Sequence, residues 1–192
     1  KIADGCNHKC TFCSIPLMKG GYVSVSPDIL LAEAERLLKE GIKELNLVAQ
    51  DISRYGIDRW KHYRLPDLLT ELSSLSGDFW IRCLYCYPNS VDSRLLATIA
   101  EQPKIVPYLD VPFQHVDPDV LDRMGRPFGH LDPDKIVSHI RAAVPNIALR
   151  TTVLVGFPGE TRRAHQNLLA AMRRLRFERL GAFIYSAEDG TE

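Results

Sequence analysis

The amino-acid sequence predicts an α/β chain, a partial (β/α)6 barrel of TIM-like type. Short β-branched runs alternate with longer amphipathic stretches, the pattern of parallel strands joined by crossover helices. Turn and cap residues sit at the junctions, and only six such units are found where a closed barrel of this kind needs eight. An edge is therefore expected to stay open for another domain or a large substrate.

The six expected strands are 1–3, 44–49, 80–85, 105–111, 148–155 and 181–185. Ser26 followed by Pro27 reads as an N-cap with proline at the first helical position, where its missing N–H costs nothing. Leu30, Ala34, Leu37 and Leu38 then form one apolar stripe, and Gly41 closes the helix where a left-handed residue is needed. Asp117-Pro118 and Asp132-Pro133 repeat the start signal for helices near 118–124 and 133–143. Leu68, Leu69 and Leu72, then Leu95, Leu96 and Ile99, then Leu168, Met172 and Leu175 supply the remaining helical faces. The basic run from Arg173 to Arg176 reads as the solvated end of the last helix, where cations complement the helix dipole.

Composition narrows the class. The 192 residues are 45% hydrophobic and 25% charged, enough apolar material for one full core and a single domain over 1–192. No apolar run approaches the ~20 residues of a membrane span, and the N-terminus lacks the layout of a signal peptide, so a cytoplasmic chain with no membrane partner is expected. The formal net charge is +0, so the domain as a whole does not attract nucleic acid electrostatically. The chain opens at Lys1 rather than methionine and stops soon after an apolar stretch, as expected for the middle of a longer protein.

Three of the five cysteines stand in "DGCNHKCTFCSIP", spaced C-x3-C-x2-C as Cys6, Cys10 and Cys13. Without a secretion signal, cysteines clustered in this way point to metal or redox chemistry rather than disulfides. A buried helical stripe would explain the spacing, but Gly5, Asn7 and Pro16 mark a loop. Structural zinc with His8 as fourth ligand competes, although such sites usually pair two separated ligand couples. Three thiolates can instead hold a four-iron cluster, leaving one iron open to a small molecule.

The spacing, with Phe12 just before the last cysteine, resembles the signature of the radical S-adenosylmethionine (SAM) enzymes, and the chain is similar to the central radical SAM core of their methylthiotransferases. "GCNHKCTFCSIPLMKG", "LVAQDISRYG", "IRCLYCYP", "PYLDVPFQH", "LDRMGRP" and "LRTTVLVGFPGET" match that domain in order. "QDISRYG" and "FQH" are similar to the branch that methylthiolates an aspartate of a small-subunit ribosomal protein; the tRNA branch, which modifies an adenosine, is the alternative. A zinc-binding module without catalysis is the alternative outside the enzyme class.

The resemblance implies one [4Fe-4S] cluster on Cys6, Cys10 and Cys13. S-adenosylmethionine would sit on its open iron and be cleaved by an electron from the cluster to methionine and a deoxyadenosyl radical, with Phe12 near the adenine. It implies one S-adenosylmethionine for the methyl group and a second for the radical, a reductant protein, a second cluster in an N-terminal domain and a small C-terminal β-barrel. Two positions depart from the family, which usually has arginine where Lys19 and Val25 stand.

In a barrel of this kind chemistry collects at the carboxyl ends of the strands. Gln50 and Asp51 after the second predicted strand are candidate cofactor contacts, as are Arg150 and Val155 on the fifth. Gln114 and His115 after the fourth are the catalytic candidates, expected to face the cavity. "VGFPGET" reads either as a tight turn or as an anion-binding helix entry. Cys83 and Cys86 spell C-x-x-C, but an offset of three on a strand sends side chains to opposite faces, so they are expected to pack rather than share a metal.

Overall fold

The structure is a computed structural model and describes residues 1–126 and 132–191. Its centre is a five-stranded, all-parallel sheet in sequential order: β3 (Glu44–Leu47), β4 (Trp80–Cys83), β5 (Ile105–Asp110), β6 (Ala148–Val155) and β7 (Arg179–Ile184). Helices α3 (Ile57–Trp60) and α4 (Leu65–Ser73) follow β3, α5 (Ser93–Glu101) follows β4, α6 (Pro118–Arg123) and α7 (Pro133–Ala143) follow β5, and α8 (Arg162–Leu175) follows β6. Sequential parallel neighbours joined by helices are the expected partial barrel, curving with its last strand at an open edge.

The first unit departs from expectation. The first strand, β1 (Ala3–Asp4), pairs antiparallel with β2 (Val23–Ser24), which was not foreseen, and the short helix α1 (Ile15–Lys19) lies between them. The Ile2 N–H donates to Val48 O at 2.9 Å, a backbone bond that sets the chain start beside the end of β3. Two-residue strands escape pattern reading because alternation needs a longer window.

Helix entries and exits follow their local chemistry. The side chains of Asp92, Asp117, Asp132 and Thr161 each accept a backbone N–H of the first turn of α5, α6, α7 and α8. Ser26 starts α2 (Pro27–Lys39) without a side-chain bond, so Pro27 and backbone geometry open this helix. At its end Gly41 takes φ +88, with Ile42 N–H bonded to Leu37 O at 3.2 Å and Gly41 N–H to Leu38 O at 3.0 Å, a Schellman closure. Leu68, Leu69 and Leu72 with Leu95, Leu96 and Ile99 bury against the sheet as expected, and Arg174 grips Asp134 with both prongs at 2.7 Å, tying α8 to α7.

β5 is bent twice, and the second bend shapes the site. Pro107 brings no N–H, and the register to β4 slips between the Ile81–Ile105 and Cys83–Leu109 pairs. Beyond Asp110 the chain bulges: Val111 N–H bonds Arg150 O, and contact with β6 resumes only where Gln114 N–H reaches Thr152 O at 2.8 Å and Leu154 N–H reaches Gln114 O at 2.8 Å. The buried Thr151 hydroxyl spans the gap, accepting from Phe113 N–H at 3.2 Å and donating to Val111 O at 2.9 Å. Gln114 takes φ +68, a conformation that a β strand would not contain.

Replacing Thr151 with valine keeps the shape but strands a buried N–H and a buried carbonyl. The expected outcome is a loss of about 1–3 kcal/mol of stability in denaturant unfolding.

Candidate functional site

The three clustered cysteines lie on a loop, not a helix, between β1 and α1. Gly5, at φ +76, lets this loop start: a Cβ there would meet Gly21 O at 2.1 Å. Cys6 N–H then bonds Gly20 O at 3.1 Å and Cys13 N–H bonds Cys10 O at 3.1 Å, closing the loop on itself. All three are half-buried free thiols on the wall of one cavity of about 450 Å3. Burial raises the Cys6 and Cys10 thiols above the usual range, and at Cys10 the Arg126 guanidinium works against it.

Of the residues singled out from the sequence, Phe12, Gln50, Asp51, Gln114 and Arg150 join the cysteines on this wall. Phe12 sets its ring edgewise to Phe157 with centroids 6.3 Å apart, linking the cysteine loop to the turn after β6. Gln50 has a buried side-chain oxygen with no hydrogen-bond partner among the described residues. Arg150 stands 3.4 Å from Asp110, whose carboxyl burial pushes up to about 6 while the arginine pulls it down. Asp51 is fully engaged: its Oδ2 meets His8 Nε2 at 2.8 Å, and its Oδ1 accepts from Ser53 N–H at 3.0 Å and Tyr87 N–H at 3.3 Å. These bonds make Asp51 a tie between loops.

His115 and Val155 do not line the cavity. The expectation for His115 rested on its place at the carboxyl end of the predicted fourth strand; the chain bulges after Asp110 and Gln114 takes φ +68, so Gln114 reaches the cavity while His115 turns into the interior. His115 is fully buried, its Nδ1 accepting from Asp117 N–H at 3.0 Å and its Nε2 paired with Glu160 Oε1 at 3.3 Å. Val155 closes β6, its carbonyl accepting Tyr185 N–H at 2.8 Å. The turn behind it is already served by the chain's own anion, since Gly156 N–H donates to the Glu160 carboxylate. Of the two readings of "VGFPGET", the structure has the turn.

Cys83 and Cys86 diverge through a turn rather than through strand alternation. β4 ends at Cys83 and Tyr85 turns the chain at φ +65, so Cys86 leaves the strand and reaches the cavity wall while Cys83 stays in the core. Both thiols are buried and raised by that burial, Cys86 well above the usual range.

Tyr87, Arg126, Thr152 and Phe183 also line the wall, and none of them carried a sequence assignment. His8, weighed only as a zinc ligand, is committed to Asp51 and stacks on Tyr87 with ring centroids 4.0 Å apart. Arg126 and Tyr87 lie within "LDRMGRP" and "IRCLYCYP", so the motif was visible but the role was not. Among the described residues no three His, Cys, Asp or Glu side chains converge to hold a single metal ion.

A loop of three free thiols facing a cavity at the carboxyl end of a partial barrel is the architecture of a cluster-dependent radical enzyme. The chain belongs to the radical SAM superfamily, whose model matches residues 1–172. It is 44% identical to a ribosomal protein uS12 methylthiotransferase RimO of Carboxydothermus hydrogenoformans over 191 residues, spanning all of this chain and 44% of that protein. It is 47% identical to the protein of the same name from Thermodesulfovibrio yellowstonii, again over all of this chain and 45% of that one. The chain thus spans a little under half the length of the curated relatives it matches.

The fold also matches solved structures at low identity. A radical S-adenosylmethionine methyltransferase, TsrM, from Kitasatospora setae superposes with a TM-score of 0.75 at 19% identity, over 95% of this chain and 35% of that one. The coproporphyrinogen III oxidase HemN from Escherichia coli gives 0.64 at 17%, over 95% and 42%.

Replacing Cys6, Cys10 or Cys13 singly by alanine is expected to abolish the brown chromophore and the bound iron and sulfide of the 192-residue chain prepared anaerobically. Cys83→Ala and Cys86→Ala should retain both, measured by absorption and by iron and sulfide analysis.

Burial depresses the His115 pKa below 6.5, so below that value the unfolded chain takes up a proton that the folded chain refuses. Stability should therefore fall between pH 7.5 and 5.5. Glu160, also depressed, adds its own loss only below about 4.5. His115→Gln should flatten the upper part of this slope in equilibrium unfolding while leaving iron content unchanged.

Proposed function

We propose that the chain is the radical-generating core of a methylthiotransferase that modifies an aspartate of the small-subunit ribosomal protein uS12. The observation that carries the reading is the set of three free thiols on one loop, facing one cavity, in a chain similar along its whole length to uS12 methylthiotransferases. A single zinc ion needs its ligands to meet at a point, whereas a cluster spreads them over separate iron atoms. The donor set fits a [4Fe-4S] cluster on Cys6, Cys10 and Cys13.

When bound, that cluster supplies the electron that cleaves S-adenosylmethionine at the open iron. The protein's own groups then do ordinary work. Gln50 offers its buried oxygen to an ammonium or other donor, and Arg150 offers a cation to a carboxylate at the mouth of the cavity. Phe12 provides an apolar face for a flat base, and Gln114 a polar group on the same cavity's lining. Mostly apolar walls keep water from a reactive site.

Sulfur insertion is assigned to a second cluster in an N-terminal domain outside this chain, because the two remaining cysteines are buried and too few to hold one. A C-terminal barrel, a reductant protein and a cytoplasmic setting complete the proposal.

The test uses the full-length protein, reconstituted anaerobically and given reductant, S-adenosylmethionine and either uS12 or tRNA. Mass spectrometry should find a methylthio group on an aspartate of uS12. Modified adenosine in tRNA beside unmodified uS12 would replace this reading by the tRNA one.

A further inference from the structure

The segment after α6 is built around the cysteine loop residue by residue. Arg123 O accepts from the Thr11 hydroxyl at 2.8 Å, and Met124 O accepts from Thr11 N–H at 3.1 Å. Gly125, at φ +62, lies so close that a Cβ would stand 2.1 Å from Lys9 O. Only glycine permits that approach. Arg126 completes the series: its Nη1 donates to Cys10 Sγ at 3.7 Å and its Nη2 to Pro112 O at 2.8 Å.

Arg126 is 7% exposed, an unusual degree of burial for a guanidinium. Its central carbon lies 4.5 Å from the Tyr87 ring centroid, and Tyr87 also stacks on His8 within the same loop. The side chain is thus held by a carbonyl and an aromatic face, with one N–H aimed at a sulfur. A cation fixed in a poorly solvated place acts strongly on a neighbouring charge.

We propose that Arg126 is a positioning residue that sets the reduction potential of the cluster held by Cys6, Cys10 and Cys13. The inference rests on the cluster reading of the previous section and goes beyond it. A cluster gains one negative charge on reduction, and an N–H and a positive charge directed at a ligand sulfur stabilise the reduced form. Arg126 therefore makes the cluster easier to reduce, and it does so before any S-adenosylmethionine is bound. The sequential contacts from residue 123 to residue 126 hold the guanidinium in register with Cys10.

The experiment is a potentiometric titration of the full-length protein without S-adenosylmethionine, followed by electron paramagnetic resonance. The relevant cluster is identified in a parallel sample as the one whose signal changes when S-adenosylmethionine is added. Arg126→Gln should move its midpoint potential to a more negative value. Arg126→Lys, which keeps the charge but cannot span Pro112 O and Cys10 Sγ together, should fall between Arg126→Gln and the unaltered protein. Thr11→Val removes a loop tie without touching charge, and should lower cluster retention while leaving the potential in place.

An unchanged potential in Arg126→Gln with its iron and sulfide intact would overturn the proposal. Loss of iron and sulfide from both arginine variants would also overturn it, making Arg126 a structural tie alone. Absence of iron and sulfide from the unaltered protein would instead defeat the cluster reading on which it rests.

Discussion

One buried carboxylate holds the site together. Asp51 is 2% exposed and receives His8 from the cysteine loop, Ser53 from its own turn, and Tyr87 from the segment after β4. The Tyr22 hydroxyl adds a bond to the Asp51 carbonyl at 2.8 Å, bringing in the residue before β2. A carboxylate so far from water must be satisfied by partners, and each partner here belongs to a different loop. The geometry of the thiols follows, because a loop with a single turn of helix and two-residue strands on its flanks has little internal support of its own.

The opposite side of the cysteine loop is secured by a different device. There the two backbones approach closely, permitted by Gly125, and Thr11 supplies one backbone and one hydroxyl bond. One side is polar and electrostatic, the other steric. Between them the three thiols stand on one wall while much of the rest of the cavity is furnished by all five strands of the parallel sheet and the loops that follow them. The stack of His8 on Tyr87, with Arg126 against the same Tyr87, joins the two sides.

Two strands end earlier than the sequence pattern predicts, β4 at Cys83 and β5 at Asp110, and for one reason. Alternation assigns faces only while the chain remains extended, and a residue at positive φ resets it. Tyr85 resets it before Cys86, and Gln114 resets it before His115. Both are non-glycine residues, so nothing in their identity marks the turn. Each lies at the carboxyl end of a strand, where a functional wall asks side chains to point where a regular strand would not send them. His115 in consequence anchors Glu160 and the turn after β6, and Cys86 reaches the cavity wall while Cys83 stays in the core.

What was legible in the sequence was whatever depends on neighbours along the chain. Amphipathic stripes, aspartate caps, the glycine closure at Gly41 and the C-x3-C-x2-C loop are short-range patterns, and the structure places them as expected. The wall residues Gln50, Asp51, Gln114 and Arg150 were legible too, because strands bring their residues to one cavity in this architecture, and Phe12 was legible from the motif around the cysteines. Tertiary structure alone decided the rest. That Arg126 meets Cys10 across 116 positions, that Asp51 serves as a tie rather than a free ligand, and that β1 pairs antiparallel with a two-residue strand are all long-range pairings. No local preference encodes them, since each is settled by which buried polar groups can find partners once the chain has closed around its core.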